Sequence, residues 1–119
     1  MRVLVVDAAN VVGSRPDGWW NDRPGAARRL HEQLVAADLD VDRLIVVLEG
    51  KARSGVPSGD DGHVTTRHAP GSGDDEIVAV CEEHASDDVT LVSADRGLRA
   101  RVEVVGTSCV GPRWLLERL

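Results

Sequence analysis

The chain contains no phenylalanine and no tyrosine, so three tryptophans are its only aromatic side chains. Aliphatic residues must therefore fill the interior. The hydrophobic fraction is an ordinary 42%, and 29% of the residues are charged. These proportions are typical of a folded domain and argue against wholesale disorder. Because roughly 100 to 200 residues fill a single hydrophobic core, we expect the 119 residues to form one domain, residues 1–119.

Several other features are scarce or missing. The two cysteines, Cys81 and Cys109, lack CxxC spacing, which favours buried small hydrophobes over a redox or zinc site. The histidines show no HxH or HExxH spacing, which also argues against zinc. No signal-peptide pattern is visible, and no apolar run approaches the roughly 20 residues of a membrane helix. We therefore expect a cytoplasmic protein without membrane association.

Positive charge is limited as well, with a formal net charge of -6 and a single lysine, Lys51. This balance argues against a broad cationic surface of the kind that binds duplex nucleic acid nonspecifically. It does not exclude a local basic rim around an acidic, metal-loaded cleft.

Hydrophobic periodicity predicts alternating strands and helices. Apolar runs predict strands at Arg2–Val6, Leu44–Leu48, Val89–Val92 and Val102–Val105. Val64–His68, which is not continuously apolar, is a weaker strand candidate. Helical spacing predicts helices at Ala26–Ala37, Asp74–His84, Arg96–Arg101 and Pro112–Leu119, with Ser72 capping the second. Gly, Pro and Ser indicate irregular chain at 13–25 and a mobile loop at Lys51–Gly62. The alternation predicts an α/β fold with three layers, α/β/α, and a mostly parallel central sheet.

Acidic residues follow three of the apolar strands. Asp7 ends VLVVD, Glu49 ends IVVLE, and Asp95 follows TLVSA, while GSGDDE places Asp74 and Asp75 in the first turn of a helix. Ligands of parallel sheets bind beyond the carboxyl ends of the strands, so we expect these acids to converge. Acids at such positions also cap helices, but a cap needs one carboxylate, and this edge gathers four or five. Converging carboxylates favour a hard divalent ion such as Mg²⁺ or Mn²⁺.

The order VVDAAN, LEG, GSGDDEI and VSADRGLR resembles the PIN-like nuclease superfamily, in particular its NYN-type branch of predicted bacterial ribonucleases. The family pattern has a first-strand Asp followed three residues later by Asn, an Asp-rich helix start, and a Ser-x-Asp-x-x-Leu signature, here Ser93, Asp95 and Leu98. The resemblance extends from Val3 to Val105. It implies a compact α/β/α fold and metal-dependent endoribonuclease activity.

The resemblance also implies site residues. Asp7, Asp74 and Asp95 match the family's metal-binding acids, and Asn10 matches its accompanying polar position, so these four are the expected catalytic residues. The motif leaves open whether Asp74 or Asp75 is the ligand; we favour Asp74, because Ile77 then turns inward. Glu49 matches less closely and can act through water. One or two ions would activate water for phosphodiester hydrolysis.

Single-stranded RNA requires cations for its phosphates and flat surfaces for its bases. The segment SRPDGWWNDR follows the Asp7 strand, and further cations flank the other strand ends. The expected substrate-binding residues are Arg15, Trp19, Trp20, Arg23, Lys51, Arg53, Ser93, Arg96 and Arg99. Core packing is the competing explanation for at least one of the two tryptophans.

Other functions fit the motifs less well. A receiver domain needs paired acids where Ala8 and Ala9 stand, a DxDx(T/V) phosphatase needs an Asp at Ala9, and dinucleotide binding needs a GxGxxG turn. A noncatalytic PIN-like domain that binds RNA or a protein partner remains an alternative, as does a toxin-like nuclease with a cognate inhibitor. Single-stranded versus structured RNA, RNA versus DNA, the number of metal ions, and a homodimer are also left open.

Overall fold

A computed structural model describes all residues, 1–119. Its six strands are β1 (Arg2–Asp7), β2 (Arg43–Leu48), β3 (Gly59–Asp61), β4 (Val64–His68), β5 (Asp88–Val92) and β6 (Ser108–Val110). Its five α-helices are α1 (Ala8–Gly13), α2 (Arg23–Ala36), α3 (Gly73–Glu83), α4 (Arg96–Glu103) and α5 (Pro112–Leu116). Two short 3-10 segments, Trp19–Asn21 and Gly50–Gly55, complete the secondary structure.

The strands form one sheet in the order β3-β4-β2-β1-β5-β6, in which only β3 runs antiparallel to its neighbour. From β1 the chain winds through β2 to β4, and it then returns to the other side of β1 for β5 and β6. The winding direction therefore reverses between β1 and β5. In open α/β sheets this reversal opens a crevice at the carboxyl ends of the strands, where ligands bind.

Helices cover both faces of the sheet, which confirms the α/β fold and its three layers. One apolar cluster packs α1, α2 and α5 against one face, and Leu4, Val6, Leu44 and Val46 point into it. The other cluster packs α3 and α4 against the opposite face, towards which Val3, Val5, Ile45 and Val47 point. The strands are apolar on both sides because both sides are buried, as expected for a parallel sheet. Cys81 and Cys109 are free thiols associated with the second cluster.

Three sequence-based predictions of local structure are wrong, and one helix was missed. Val102–Val105 is not a strand: α4 continues to Glu103, because Val102 lies one helical turn after Leu98 on the same buried face, and the strand comes later, at β6. The Lys51–Gly62 loop contains the Gly50–Gly55 segment and β3. The irregular stretch at 13–25 includes the Trp19–Asn21 turn and the start of α2. Helix α1 was not predicted. The Ser72 cap is confirmed.

None of the helices has both the length and the apolar character that a membrane span requires.

Candidate active site

The candidate site lies at the carboxyl ends of β1 and β5, where the winding direction reverses. Asp7 is the last residue of β1 and the N-cap of α1, and only 8% of its surface is exposed. The backbone N–H of Asn10 donates to Oδ1 of Asp7 at 3.3 Å, and the Ser93 hydroxyl donates to Oδ2 at 2.9 Å. These two bonds fix the carboxylate at the mouth of the crevice. Each oxygen keeps a further lone pair for another partner.

The loop between β5 and α4 is held against α1 by side chains from both sides. Oδ1 of Asn10 accepts a hydrogen bond from the Ala94 backbone N–H at 2.8 Å. The Ser93 hydroxyl accepts one from the Asp95 N–H at 3.1 Å, and Oδ1 of Asp95 caps α4 by accepting from the Leu98 N–H at 2.9 Å. Asn10 and Ser93 therefore link the positions of Asp7 and Asp95. The sequence indicated that Asn10 accompanies Asp7, but it did not reveal the bonds between Asn10 and Ala94 and between Ser93 and Asp7, because each joins residues more than eighty positions apart along the chain.

A second pair of acids approaches from β2 and α3. Oε2 of Glu49 accepts a hydrogen bond from the Gly73 backbone N–H at 2.8 Å. A Cβ atom at position 73 would lie 2.9 Å from Cδ of Glu49, so only glycine allows this approach. Asp74 follows directly, in the first turn of α3. Gly73 was not predicted as a site residue, although the GSGDDE motif contains it.

The electrostatics show that four of the acids share one field. Burial raises the pKa of Asp7, and the nearby carboxylates of Asp74 and Glu49 add to the effect. Burial likewise raises the pKa of Asp74, and Asp95 and Glu49 raise it further. None of these four carboxylates forms an ion pair within 4.0 Å. Their mutual repulsion is thus left to solvent or to a bound cation.

Asp75 is placed differently. Its carboxylate is 73% exposed and pairs with the Arg101 guanidinium at 2.9 Å. Arg101 also lowers the pKa of Asp74, but less than burial and the neighbouring acids raise it. Of the two acids that the sequence left open, Asp74 is therefore the one that belongs to the cluster.

The donor set suits a hard divalent cation. Asp7, Glu49, Asp74 and Asp95 offer carboxylate oxygens alone, which Mg²⁺ and Mn²⁺ prefer and which soft metals do not. No three Asp, Glu, His or Cys side chains are close enough to form a complete metal cage. Mg²⁺ commonly binds through one or two carboxylates and keeps several waters, so the residues present fit an ion that is partly hydrated.

A cleft of about 410 Å³ opens beside the acids. Its lining includes small or apolar residues, among them Ala8, Ala27, Leu48 and Ala52. Trp19 and Arg23 line it on one side, and Glu49 also contributes to the lining. The guanidinium carbon of Arg23 lies 5.4 Å from the centre of the Trp19 ring, and Trp20 meets that ring edge-on at 5.9 Å between centroids. Trp20 is 58% exposed and lies outside the lining.

A basic depression adjoins the cleft at Gly50. Lys51, Arg53 and His68 line it, and no hydrophobic residue does. The Arg53 side chain is fixed by donating to the Gly50 carbonyl at 3.1 Å and to the Ala69 carbonyl at 3.2 Å. The Lys51 ammonium is exposed and has no ion-pair partner.

The other expected substrate contacts are not all brought to this region. Ser93 is completely buried, so it orients Asp7 and does not contact substrate. Arg99 donates to the Ser93 carbonyl at 2.6 Å and holds the loop. Arg15 donates to the Gln33 side chain at 2.8 Å, in a depression separate from the cleft. Arg96 is exposed in the first turn of α4, next to Asp95.

The fold resembles a solved structure at low sequence identity. A crystal structure of a mutant of Rae1 (YacP) from Bacillus subtilis matches with a TM-score of 0.75 and 18% identity, covering 98% of this chain and 74% of that chain. Neither a protein-family model nor a curated protein sequence matches this chain. At this identity the similarity concerns the fold alone.

Proposed function

We propose that this protein is a Mg²⁺- or Mn²⁺-dependent endoribonuclease that hydrolyses phosphodiester bonds of single-stranded RNA. One observation carries the proposal: Asp7, Glu49, Asp74 and Asp95 share a field at the switch point of the sheet, and none has an ion-pair partner. The sequence motifs that resemble the NYN-type branch of the PIN-like nucleases support the same reading.

A bound divalent ion supplies this site with an acidified water and with positive charge opposite the attacked phosphate. Asp7, oriented by the Asn10 N–H and the Ser93 hydroxyl, would hold the ion directly. Asp95 and Glu49 would add negative charge that favours its binding. Asp74 is partly exposed in the same cluster, so one of its carboxylate oxygens would be placed to accept a proton from the attacking water.

The cleavage experiment compares wild type with two matched substitutions. Purified protein is incubated with labelled single-stranded RNA in Mn²⁺ or in EDTA, and the products are separated by length. We expect internal cleavage in Mn²⁺ only. Asp7→Asn keeps the shape of the side chain and removes the charge, so we expect activity to fall by at least about 10- to 100-fold. Asp75→Asn, outside the cluster, retains activity within a few-fold.

Two results would refute the nuclease: RNA that stays intact with wild type in Mn²⁺, or equal cleavage by wild type and Asp7→Asn. The second of these assigns the cleavage to a contaminant.

A noncatalytic RNA-binding or protein-interaction domain is the second candidate. The observation in its favour is that no three potential ligands form a complete cage. It predicts that wild type and Asp7→Asn bind the same RNA equally and leave it intact. An electrophoretic shift assay run beside the cleavage assay separates the two functions.

A further inference from the structure

The cleft beside the carboxylates has the chemistry of a binding site for a flat, largely apolar group. Small side chains of α1 and α2 leave its volume open, at about 410 Å³, within the range of small-molecule pockets. Trp19 and Arg23 add an indole and a planar guanidinium, and both kinds of group stack on aromatic rings. A nucleobase is a ligand with this combination of a flat face and limited polarity.

The cleft also lies between two regions suited to phosphates. Glu49 belongs both to its lining and to the acid cluster, because its carboxylate accepts a hydrogen bond from the N–H of Gly73, the residue directly before Asp74. Gly50 belongs both to its lining and to the basic depression of Lys51 and Arg53. The apolar cleft therefore has the acid cluster on one side and the basic depression on the other. A nucleic acid strand repeats phosphate and base in the same alternation.

We propose that the cleft binds one unpaired nucleobase of single-stranded RNA, stacked on Trp19 and Arg23, next to the phosphate that is cut. The proposal rests on the endoribonuclease function and adds its substrate selectivity. A base held in a duplex is already stacked on its neighbours and paired, so the site selects unpaired nucleotides. The proposal gives a base-binding role to Trp19, which lines the cleft, and none to Trp20, which lies outside the lining.

The test measures binding without turnover. Asp7→Asn protein in EDTA is titrated into fluorescein-labelled RNA strands that are abasic throughout, or that carry one base, each of the four in turn, at the central position. Anisotropy gives the Kd. Because each probe has a single base, the strand cannot shift another base into the cleft. We expect at least one base to tighten binding by about 5- to 150-fold over the abasic strand, the range found for base stacking on aromatic residues.

Substitutions assign the gain to the cleft. In the Asp7→Asn background, Trp19→Leu is expected to remove the gain. Ala9→Leu is expected to remove the gain too, because Ala9 is exposed and lines the cleft, so that a larger side chain there fills it. This substitution keeps all three tryptophans. Trp20→Leu is the matched control and keeps the gain. Circular dichroism verifies that each variant is folded; if Trp19→Leu is not, Ala9→Leu decides.

The proposal is overturned if no base tightens binding, if Ala9→Leu leaves the gain intact, or if Trp20→Leu removes it as fully as Trp19→Leu. The outcomes are independent of catalysis. A base-dependent gain without RNA cleavage by wild type keeps the cleft and rejects the nuclease, whereas cleavage without a gain keeps the nuclease and rejects the cleft.

Discussion

Asp7 combines burial with negative charge and has no cationic partner. Its two hydrogen bonds, from Asn10 and Ser93, favour the ionised form, but burial outweighs them and raises its pKa. An ionised carboxylate in that position makes the protein less stable than it would be with a neutral side chain. A bound divalent cation would offset this cost, so metal binding and folding stability are linked at Asp7.

The sign of the pH dependence at Asp7 follows from the direction of its shift. Its pKa in the folded protein lies above the ordinary value of 3.8, so between these two values the folded state binds more protons than the unfolded state. The contribution of Asp7 to stability therefore decreases as pH rises through that window. We expect the Tm of wild type in EDTA to fall relative to that of Asp7→Asn between about pH 4 and pH 7.

Thermal unfolding of both proteins at the two pH values checks this expectation. Addition of Mn²⁺ at pH 7 should reduce the difference in Tm between wild type and Asp7→Asn. The carboxyls of Glu83 and Asp87, whose pKa values are lowered, are present in both proteins and cancel in the comparison. A gap in Tm that does not change with pH would contradict the assigned environment of Asp7.

Lys51 gives a prediction about salt. Its ammonium is exposed in the basic depression, and we expect it to displace a counterion from one phosphate. For single strands one such contact changes the slope of log K against log salt by about 0.7. In binding titrations across a salt series, Lys51→Gln should flatten the slope by that amount, while Arg28→Gln, on the exposed face of α2, should not. Equal effects would mean that binding is spread over the surface.

Glu49 approaches the first turn of α3 closely because residue 73 has no side chain. The Gly73 N–H binds Glu49, and a Cβ atom there would press on the end of a flexible carboxylate. The carboxylate can move away at little cost. The consequence of a larger residue is therefore a displaced Glu49 and not a broken helix.

Gly73→Ala should accordingly weaken metal binding without a comparable change in folding stability. Alanine at this first helical position stabilises by roughly 0.4 to 1 kcal/mol, because it restricts the unfolded chain, and this offsets the lost hydrogen bond of about 1 kcal/mol. We expect the free energy of unfolding in urea to change little, while Mn²⁺ affinity, measured by calorimetry, falls roughly 10-fold. Gly13→Ala, at the end of α1 with only a 4.0 Å contact, is the control and should keep its affinity. A large loss of stability without a loss of affinity would refute this role.

The elements that the sequence misplaced share one physical cause. Val102 and Val105 are β-branched and read locally as a strand, yet Val102 packs with Leu98 against the sheet as part of α4. The strand moves instead to Ser108–Val110, where Thr90, Leu91 and Val92 of β5 offer hydrogen-bond partners in register. Pairing with a neighbour decided the position of β6, and local propensity did not.

The whole molecule is organised around β1, which lies between β2 and β5. N-terminal, central and C-terminal segments therefore contribute to one continuous sheet with an apolar cluster on each face. No part of the chain has a sheet of its own. A single domain, expected from the length of the chain, therefore stays our prediction.

A single domain of this size should unfold in one cooperative step. Trp19 and Trp20 follow α1, and Trp114 is in α5, so fluorescence reports on segments that are far apart in the sequence. We expect urea curves from tryptophan fluorescence and from far-ultraviolet circular dichroism to coincide in EDTA. Two separated midpoints would contradict a single cooperative unit. Leu30→Ala, which truncates a fully buried side chain, should lower the free energy of unfolding by about 2 to 5 kcal/mol as measured by both probes.

The sequence by itself determined the alternation of strands and helices, the burial of the sheet on both faces, and the acids at the strand ends, because these depend on periodicity and on residue order. Only the tertiary structure decided which acids meet. It placed Asp74 in the cluster and gave Asp75 to Arg101, buried Ser93 beneath Asp7, and set Trp19 in the cleft while leaving Trp20 outside. Those outcomes depend on contacts between distant segments, which are fixed only when the sheet brings the strand ends together.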